Sequence, residues 1–285
     1  MTRWLLTGAG GQLATAFEPL LDDEIFLLRE EAVDLRDEVA VRASVRGFAP
    51  GVILHTAAYT AVDQAESEED VAMAVNEGGT RNLLAAVRGT HTIFVYISSD
   101  YVFDGAKGSP YVESDEPNPL GAYGRSKLAG ERLVLGWPHG IVVRTAWLFS
   151  TTGSNFVKTI LRVAGERARS GSREPLQVVD DQIGSPTYAP HLAAGILEGL
   201  QRHLPAGIYH MAGNGYCSWF ELAQEVVRCA GLRVPIEPIT TAQLNRPAPR
   251  PAYSALASER HAPQLPPWFE GVAEAVAMLT NQEEG

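Results

Sequence analysis

The chain has 285 residues, 45% of them apolar and 20% charged. That balance excludes a disordered or collagen-like polymer and suggests one large domain or two small ones. With 23 basic and 34 acidic side chains the formal charge is −11. The chain therefore has no counterion-release drive toward nucleic acid or toward an anionic membrane surface, while a small anion can still be held by backbone N–H groups.

Two cysteines, Cys217 and Cys229, stand apart from each other and from any histidine cluster. They read as buried thiols in a reducing compartment, and no zinc site is expected. The apolar run before Gly8 is too short for a signal-peptide core, and no stretch approaches membrane-span length. The expectation is a cytoplasmic protein with no membrane partner.

Along the first half, short apolar runs alternate with amphipathic stretches. Strands are predicted at residues 4–7, 25–28, 52–56, 93–98 and 141–144. Helices are predicted at 12–21, 39–48, 66–87 and 123–135. Apolar strands alternating with helices imply a parallel sheet covered on both faces, and right-handed crossovers make it doubly wound. The second half is less regular. Helices are expected at 155–165, 190–201 and 219–230, and strands at 177–179 and 208–211. Three prolines between Arg246 and Pro251 forbid a continuous helix or central strand. That segment is either a surface loop or a rigid element presenting Arg246 and Arg250 to a ligand. The tail, residues 282–285, is expected to fray.

Between the first strand and the first helix lies Gly8-Ala9-Gly10-Gly11-Gln12-Leu13-Ala14. Small residues there allow a tight turn and let a pyrophosphate approach the backbone, next to the free N–H groups of the helix start. The spacing is G-x-x-G-x-x-A, since Leu13 stands where a strict G-x-G-x-x-G would end. With its flanking strand and helix it reads as a dinucleotide site. The second strand ends in Arg29-Glu30. An arginine there favours a 2′-phosphate, hence NADPH over NADH, and Glu30 argues mildly the other way. Asp34 and Leu35 follow, to hold an adenine or to cap the next helix.

Tyr123 and Lys127 are four residues apart at a predicted helix start and so share one face. A nearby ammonium stabilises a phenolate, which makes the pair a proton donor for a developing alkoxide. Ser98-Ser99-Asp100 follows the strand at 93–98 and so faces the ligand crevice. It offers a hydroxyl to a substrate carbonyl, or simply a cap for the turn.

Together these residues resemble the extended short-chain dehydrogenase/reductase superfamily, and within it the dTDP-4-dehydrorhamnose reductase family. The likeness is carried by residues 55–66, 99–105, 123–131, 144–149, 155–159, 178–187 and 246–250. The Ala57-Ala58-Tyr59-Thr60-Ala61-Val62-Asp63 and Asp180-Asp181-Gln182 to Thr187 stretches are its most specific parts. The resemblance implies a Rossmann-type dinucleotide-binding domain at 1–150. It also implies a smaller, interleaved sugar-nucleotide-binding domain, mainly 151–285, with some segments returning to the sheet.

The implied reaction is reduction of the C4 ketone of dTDP-4-dehydro-L-rhamnose with NADPH or NADH. By position, Tyr123 is the proton donor, Lys127 its partner, and Ser99 the group that tunes the tyrosine and contacts substrate. Asp100, Trp147 and Arg250 fall at substrate positions. Gly8, Gly11, Gln12 and Leu13 fall at the pyrophosphate. Arg29, Asp34 and Leu35 lie on the adenosine side, and Ala57, Ala58 and Tyr59 pass beside the cofactor.

Ala14 departs from the family's usual third glycine. Ala16 stands where some members carry a magnesium-binding glutamate, so no metal is expected and a homodimer would lack a metal bridge. Other dTDP-4-keto-6-deoxysugars are the nearest alternative substrates. An NADP-binding regulatory subunit of methionine adenosyltransferase and a sugar-nucleotide epimerase or dehydratase are more distant readings. The ratio of NADPH to NADH turnover tests Arg29: the native chain should prefer NADPH, and Arg29→Ala should lose that preference.

Overall fold

The computed structural model describes residues 2–21 and 23–281; the fraying expected at 282–285 lies outside the described residues. The first half runs β1 (Arg3–Thr7), α1 (Gln12–Phe17), β2 (Glu24–Leu28), α2 (Glu38–Phe48), β3 (Val52–His55), α3 (Val62–Ala65), α4 (Glu69–Met73), α5 (Thr80–Ala86), β4 (Ile93–Ser99), α6 (Ala122–Leu135) and β5 (Gly140–Thr145). The second half runs β6 (Leu148–Phe149), α7 (Phe156–Ser170), β7 (Leu176–Val179), β8 (Ile183–Gly184), β9 (Thr187–Tyr188), α8 (Ala189–Gln201), β10 (Gly207–His210), β11 (Cys217–Ser218), α9 (Trp219–Cys229), β12 (Ile236–Ile239), α10 (Thr241–Leu244) and α11 (Trp268–Asn281).

Six strands form one parallel sheet in the order β10-β5-β4-β3-β1-β2. Alternation along each strand sorts its side chains between two layers. Leu6, Leu54, Val95 and Val143 face α1 and α8. Leu5, Ile53, Phe94 and Val142 face the side of α2, α5 and α6. The chain leaves β1 in one direction for β2 and returns on the other side as β3. This switch opens a crevice beyond the carboxyl ends of β1 and β3, the usual ligand position in such sheets.

Beyond β5 the chain builds a second core from α7, α9 and α11, closed around Phe149, Val157, Leu222 and Val272. Yet α8 packs on the first sheet through Leu192 and Ile196, and β10 completes its edge. The two halves are interleaved through these returns.

The helix expected at 66–87 runs without a gap from Glu69 to Ala86, but its middle turn, Ala74–Gly79 between α4 and α5, is π-helical. The wider turn lets Asn76 reach the loop after β3, where its Oδ1 accepts from Tyr59 N at 2.8 Å. Gly79 is required here, because a Cβ would lie 2.9 Å from that of Leu35. The first helix ends at Phe17 and passes into a 3₁₀ turn at Glu18–Leu20 around Pro19. Helix α11 and strand β12 had no counterpart in the sequence reading.

Behind α6 lies a fully buried ion pair. Arg144 on β5 donates to Glu131 on α6 at 2.7 and 2.9 Å, and each side chain is 1% exposed. Ser98 donates to the same carboxylate at 2.5 Å. Glu131→Gln leaves a buried guanidinium without its counter-charge, so we expect a loss of about 3–5 kcal/mol of folding stability. Urea unfolding measures it, and Glu131→Gln combined with Arg144→Met should recover part of the loss.

Candidate active site

The glycine loop departs from β1 through two left-handed residues, Gly8 (φ +69°) and Gly10 (φ +90°). A Cβ on Gly8 would stand 2.8 Å from the Ala57 backbone, so only glycine allows β1 and the segment after β3 to approach this closely. Gly11 donates its N–H to Gly8 O at 2.9 Å and caps α1 with no side chain, leaving the first helical N–H groups free of a side-chain cap. Ala14, in place of the third glycine, is fully buried with Leu6 and Leu13, so its methyl is accommodated by packing. Gln12 accepts from Asn155 Nδ2 at 2.8 Å, joining this loop to the second half of the chain.

Arg29 is exposed, and its Nη1 would lie 3.5 Å from a Cβ on Gly10. Its guanidinium therefore hangs over the glycine loop, and it makes no salt bridge among the described residues. Asp34 is held by Arg36, whose Nη2 lies 2.7 Å away and lowers its pKa. The cap of α2 is Asp37, which accepts from Val39 N and Ala40 N at 2.9 and 3.0 Å. Asp34 is thus not the helix cap. Leu35 is 9% exposed and packs on the π-helical turn at Gly79.

The segment Ala57-Ala58-Tyr59 is fixed by its backbone. Ala57 N donates to Thr7 Oγ1 at 3.1 Å, and Asn76 brackets Tyr59 from both sides. Below it lies a buried relay from Thr7 through His55 to Thr80. Thr80 gives its only proton to Asn76 O at 2.6 Å, so it accepts from His55 Nε2–H, and His55 Nδ1 accepts from Thr7. Burial, then the charge of Lys127, pulls the His55 pKa down to about 3, which keeps the ring neutral and this tautomer in place.

Helix α6 begins where Glu66 accepts from Ala122 N at 2.8 Å, a cap supplied from 56 residues upstream. Gly124 is needed because a Cβ would strike Tyr101 O. Tyr123 packs edge-on against Tyr101, with ring centroids 5.6 Å apart. Burial pushes the Tyr123 phenol well above its ordinary value, and Ser99, hydrogen-bonded to it, pulls the other way. Lys127 is not among the groups that shift it, so the lowering expected from the lysine is not seen in the free protein. The phenol stays protonated.

Lys127, 2% exposed, places Nζ 4.1 Å from the centre of the Tyr96 ring. Burial lowers its pKa to about 7, opposed by Glu131 one turn further on. Ser99 ends β4. Its hydroxyl donates to Asp100 Oδ1 at 2.9 Å and accepts from Tyr101 N at 3.1 Å, so it caps the following turn as well as touching Tyr123.

Asp100 is 1% exposed, and its other oxygen accepts from Ser254 at 2.5 Å. Burial raises its pKa to about 6, against the pull of Ser254 and Ser99. Both its oxygens thus support serines. Ser254, which had no signal in the sequence, enters from the C-terminal part of the chain. One strand over, Thr145 Oγ1 is a buried side-chain oxygen with no hydrogen-bond partner among the described residues.

Trp147 takes a left-handed backbone (φ +46°) and stacks on Trp219, ring centroids 3.5 Å apart. Gly184 lies flat beneath it, where a Cβ would overlap the indole. An aromatic residue held in that conformation implies strain maintained by its surroundings. Gln182 accepts from Trp219 Nε1 at 3.1 Å and donates to Thr241 Oγ1 at 2.8 Å, and Asp181 accepts from Thr241 N at 2.8 Å.

Gln182 and Thr241 border a cleft of about 290 Å³ whose other lining residues lie between Ala242 and Arg250. The proline-rich segment is its wall, so it is neither a free loop nor a linker. Arg250 is tied to Asp63 by two 3.0 Å contacts and hydrogen-bonds Tyr101. Arg246 sits 3.7 Å from Asp63 at the rim. A chain of contacts therefore runs from the cleft through Arg250 and Tyr101 to Tyr123. Trp219 and Asn76 escaped the sequence reading because their roles come from contacts with distant elements.

The sequence model of the RmlD substrate binding domain family matches residues 2–281. A dTDP-4-dehydrorhamnose reductase from Streptomyces griseus is 41% identical over 268 residues, spanning 90% of this chain and 86% of that protein. One from Mycobacterium tuberculosis (strain ATCC 25618 / H37Rv) is 39% identical and spans 98% of this chain and 94% of its own. The crystal structure of dTDP-4-dehydrorhamnose reductase from Bacillus anthracis in complex with NADP superposes with a TM-score of 0.91 at 37% identity, covering 97% of this chain and 99% of that one. With matched sequence and matched fold along nearly the whole length, this chain belongs to the RmlD family, the dTDP-4-dehydrorhamnose reductases of the extended short-chain dehydrogenase/reductase superfamily.

Proposed function

We propose that this protein reduces the C4 ketone of dTDP-4-dehydro-L-rhamnose to give dTDP-L-rhamnose, with NADPH as reductant. The observation that carries the reading is the convergence of Ser99, a protonated Tyr123 and a buried Lys127 beside a glycine loop overhung by Arg29. The named relatives, which act at the same chemical step, support it.

The residues present suit a dinucleotide. Gly8 and Gly11 leave room for the pyrophosphate, Arg29 offers a cation for a 2′-phosphate, and Ala57 to Tyr59 wall the crevice. When bound, NADPH supplies the hydride for C4. As negative charge develops on the ketone oxygen, preorganised donors stabilise it. Tyr123 gives its phenolic proton to that oxygen, which completes the alcohol. The Lys127 ammonium holds the phenolate that remains until solvent returns a proton. Ser99 has one hydroxyl proton, now directed at Asp100, so it turns about its Cβ–Oγ bond to donate to the ketone.

In this reading the cleft lined by Gln182 and Arg250 receives the sugar nucleotide, with Trp147 as a further substrate contact. Residues 151–285 act mainly as the substrate domain and residues 1–150 as the cofactor domain. The enzyme works in the cytoplasm, as a monomer or as a dimer with no metal bridge. No helix among the described residues is long and apolar enough to cross a membrane.

The decisive assay follows NADPH oxidation with dTDP-4-dehydro-L-rhamnose, with epimeric ketosugars in parallel and the product identified. Oxidation yielding dTDP-L-rhamnose is expected; no oxidation while NADPH still binds would overturn the proposed substrate. Tyr123→Phe should lower kcat by about 10²-fold or more with NADPH affinity retained.

A pH dependence follows from Lys127. Its charge is lost in the free protein as pH rises through about 7, and an anionic cofactor favours the charged form. By linkage, binding NADPH raises that pKa, and affinity weakens as the lysine deprotonates. Fluorescence titrations between about pH 6 and about pH 9 should show this slope on the alkaline side, and Lys127→Met should abolish it.

A further inference from the structure

Thr145 is the last residue of β5 and pairs in register with Ser99 of β4. It is 6% exposed, and its Oγ1 finds no hydrogen-bond partner among the described residues. A buried hydroxyl left unpaired costs stability, so one that persists in a folded protein calls for a partner that arrives later.

The direction it faces follows from its neighbours. Arg144 turns to Glu131 on the α6 side of the sheet. Alternation therefore places Thr145 with Ile141 and Val143, on the side of α1 and its glycine loop. Sitting at the carboxyl end of the strand, it opens on the crevice one strand beyond Ser99.

A dinucleotide with its pyrophosphate at Gly8 and Gly11 starts over β1. It must carry its reactive ring past β3 and β4 to bring it beside Ser99 and Tyr123. The group on the far side of that ring then meets the end of β5. In a nicotinamide that group is the carboxamide, whose C=O accepts and whose NH₂ donates; a threonine hydroxyl answers either.

We propose that the Thr145 hydroxyl is the hydrogen-bond partner of the nicotinamide carboxamide and fixes the rotation of the ring in front of Ser99 and Tyr123. This rests on the reading of the protein as an NADPH-dependent reductase. Thr145 is a cofactor-positioning residue in this assignment, and it takes no part in proton transfer.

Thr145→Val keeps the shape and removes the hydroxyl, and Thr145→Ser keeps the hydroxyl. Calorimetric titration with NADPH and with 2′-phospho-ADP-ribose, which lacks the nicotinamide, separates the two ends of the cofactor. Thr145→Val should bind NADPH about 3- to 10-fold more weakly, the worth of one neutral hydrogen bond. Its affinity for 2′-phospho-ADP-ribose should be unchanged, and its ligand-free Tm equal to or above that of the parent. Thr145→Ser should restore NADPH binding.

Unchanged NADPH affinity in Thr145→Val, an equal loss for both ligands, or a lowered ligand-free Tm would overturn the assignment while leaving the reductase reading standing. A parent protein that binds 2′-phospho-ADP-ribose but gains nothing from the nicotinamide would also overturn it. A parent that binds neither ligand would instead remove the reading on which it rests.

Discussion

Asn76 is 1% exposed, and its side-chain amide ties two distant pieces of chain together. Its carbonyl accepts from Tyr59 N, and its NH₂ donates to Tyr59 O at 3.2 Å and to Ser126 Oγ at 2.8 Å. Its own backbone carbonyl receives Thr80, which in turn orients His55 and through it Thr7. Ser126 passes the connection to Tyr123 O at 2.8 Å. One side chain therefore ties the segment after β3 to the helix carrying Tyr123. The π-helical turn and Gly79 are the local cost of reaching that position. Each member of the relay is hydrogen-bonded, the condition under which a buried polar network specifies a single arrangement.

The same economy of partners governs the charges. Tyr123, Lys127 and Asp100 are all shifted toward their neutral forms, and burial is the first cause in each case. Glu131 and Arg144, a turn behind Lys127, remain a matched pair. In the free site near neutral pH, Tyr123 is neutral, Lys127 is divided between its two forms, and Asp100 carries its charge with two serines donating to it. The neutral tyrosine is the state a donor needs before the reaction. The lysine, poised near neutrality, responds most to the arrival of phosphate or phenolate nearby.

Local signals in the chain were good guides to the parallel sheet, the glycine loop and the Tyr123/Lys127 face, because each depends on residues within one strand, turn or helix. Ala57 to Tyr59 and the Asp181-Gln182 stretch were legible only through family resemblance. What stayed hidden depends on encounters between distant segments. Glu66 caps α6 across 56 residues, Ser254 reaches Asp100 across 154, and Trp219 stacks on Trp147. No periodicity marks such residues. The helix read at 66–87 was found from Glu69 to Ala86, but its π-helical turn was hidden for the same reason: the demand for it came from the loop at Tyr59. The glycine-rich turn before α5 was a visible clue whose meaning needed the tertiary contact with Leu35.

Strand β10 closes the sheet beside β5 only after about sixty intervening residues, which carry α7 and α8, while α9 and α11 of the second core follow later still. During synthesis, the first 150 residues can emerge with every strand from β2 to β5 in place and still present β5 as an open, apolar edge. Such edges template association between chains. The interleaving of the two halves thus couples the solubility of the nascent chain to the completion of its C-terminal part. It also makes the boundary near residue 150 a poor place to divide the protein, however natural that boundary looks when the chain is read as cofactor half and substrate half.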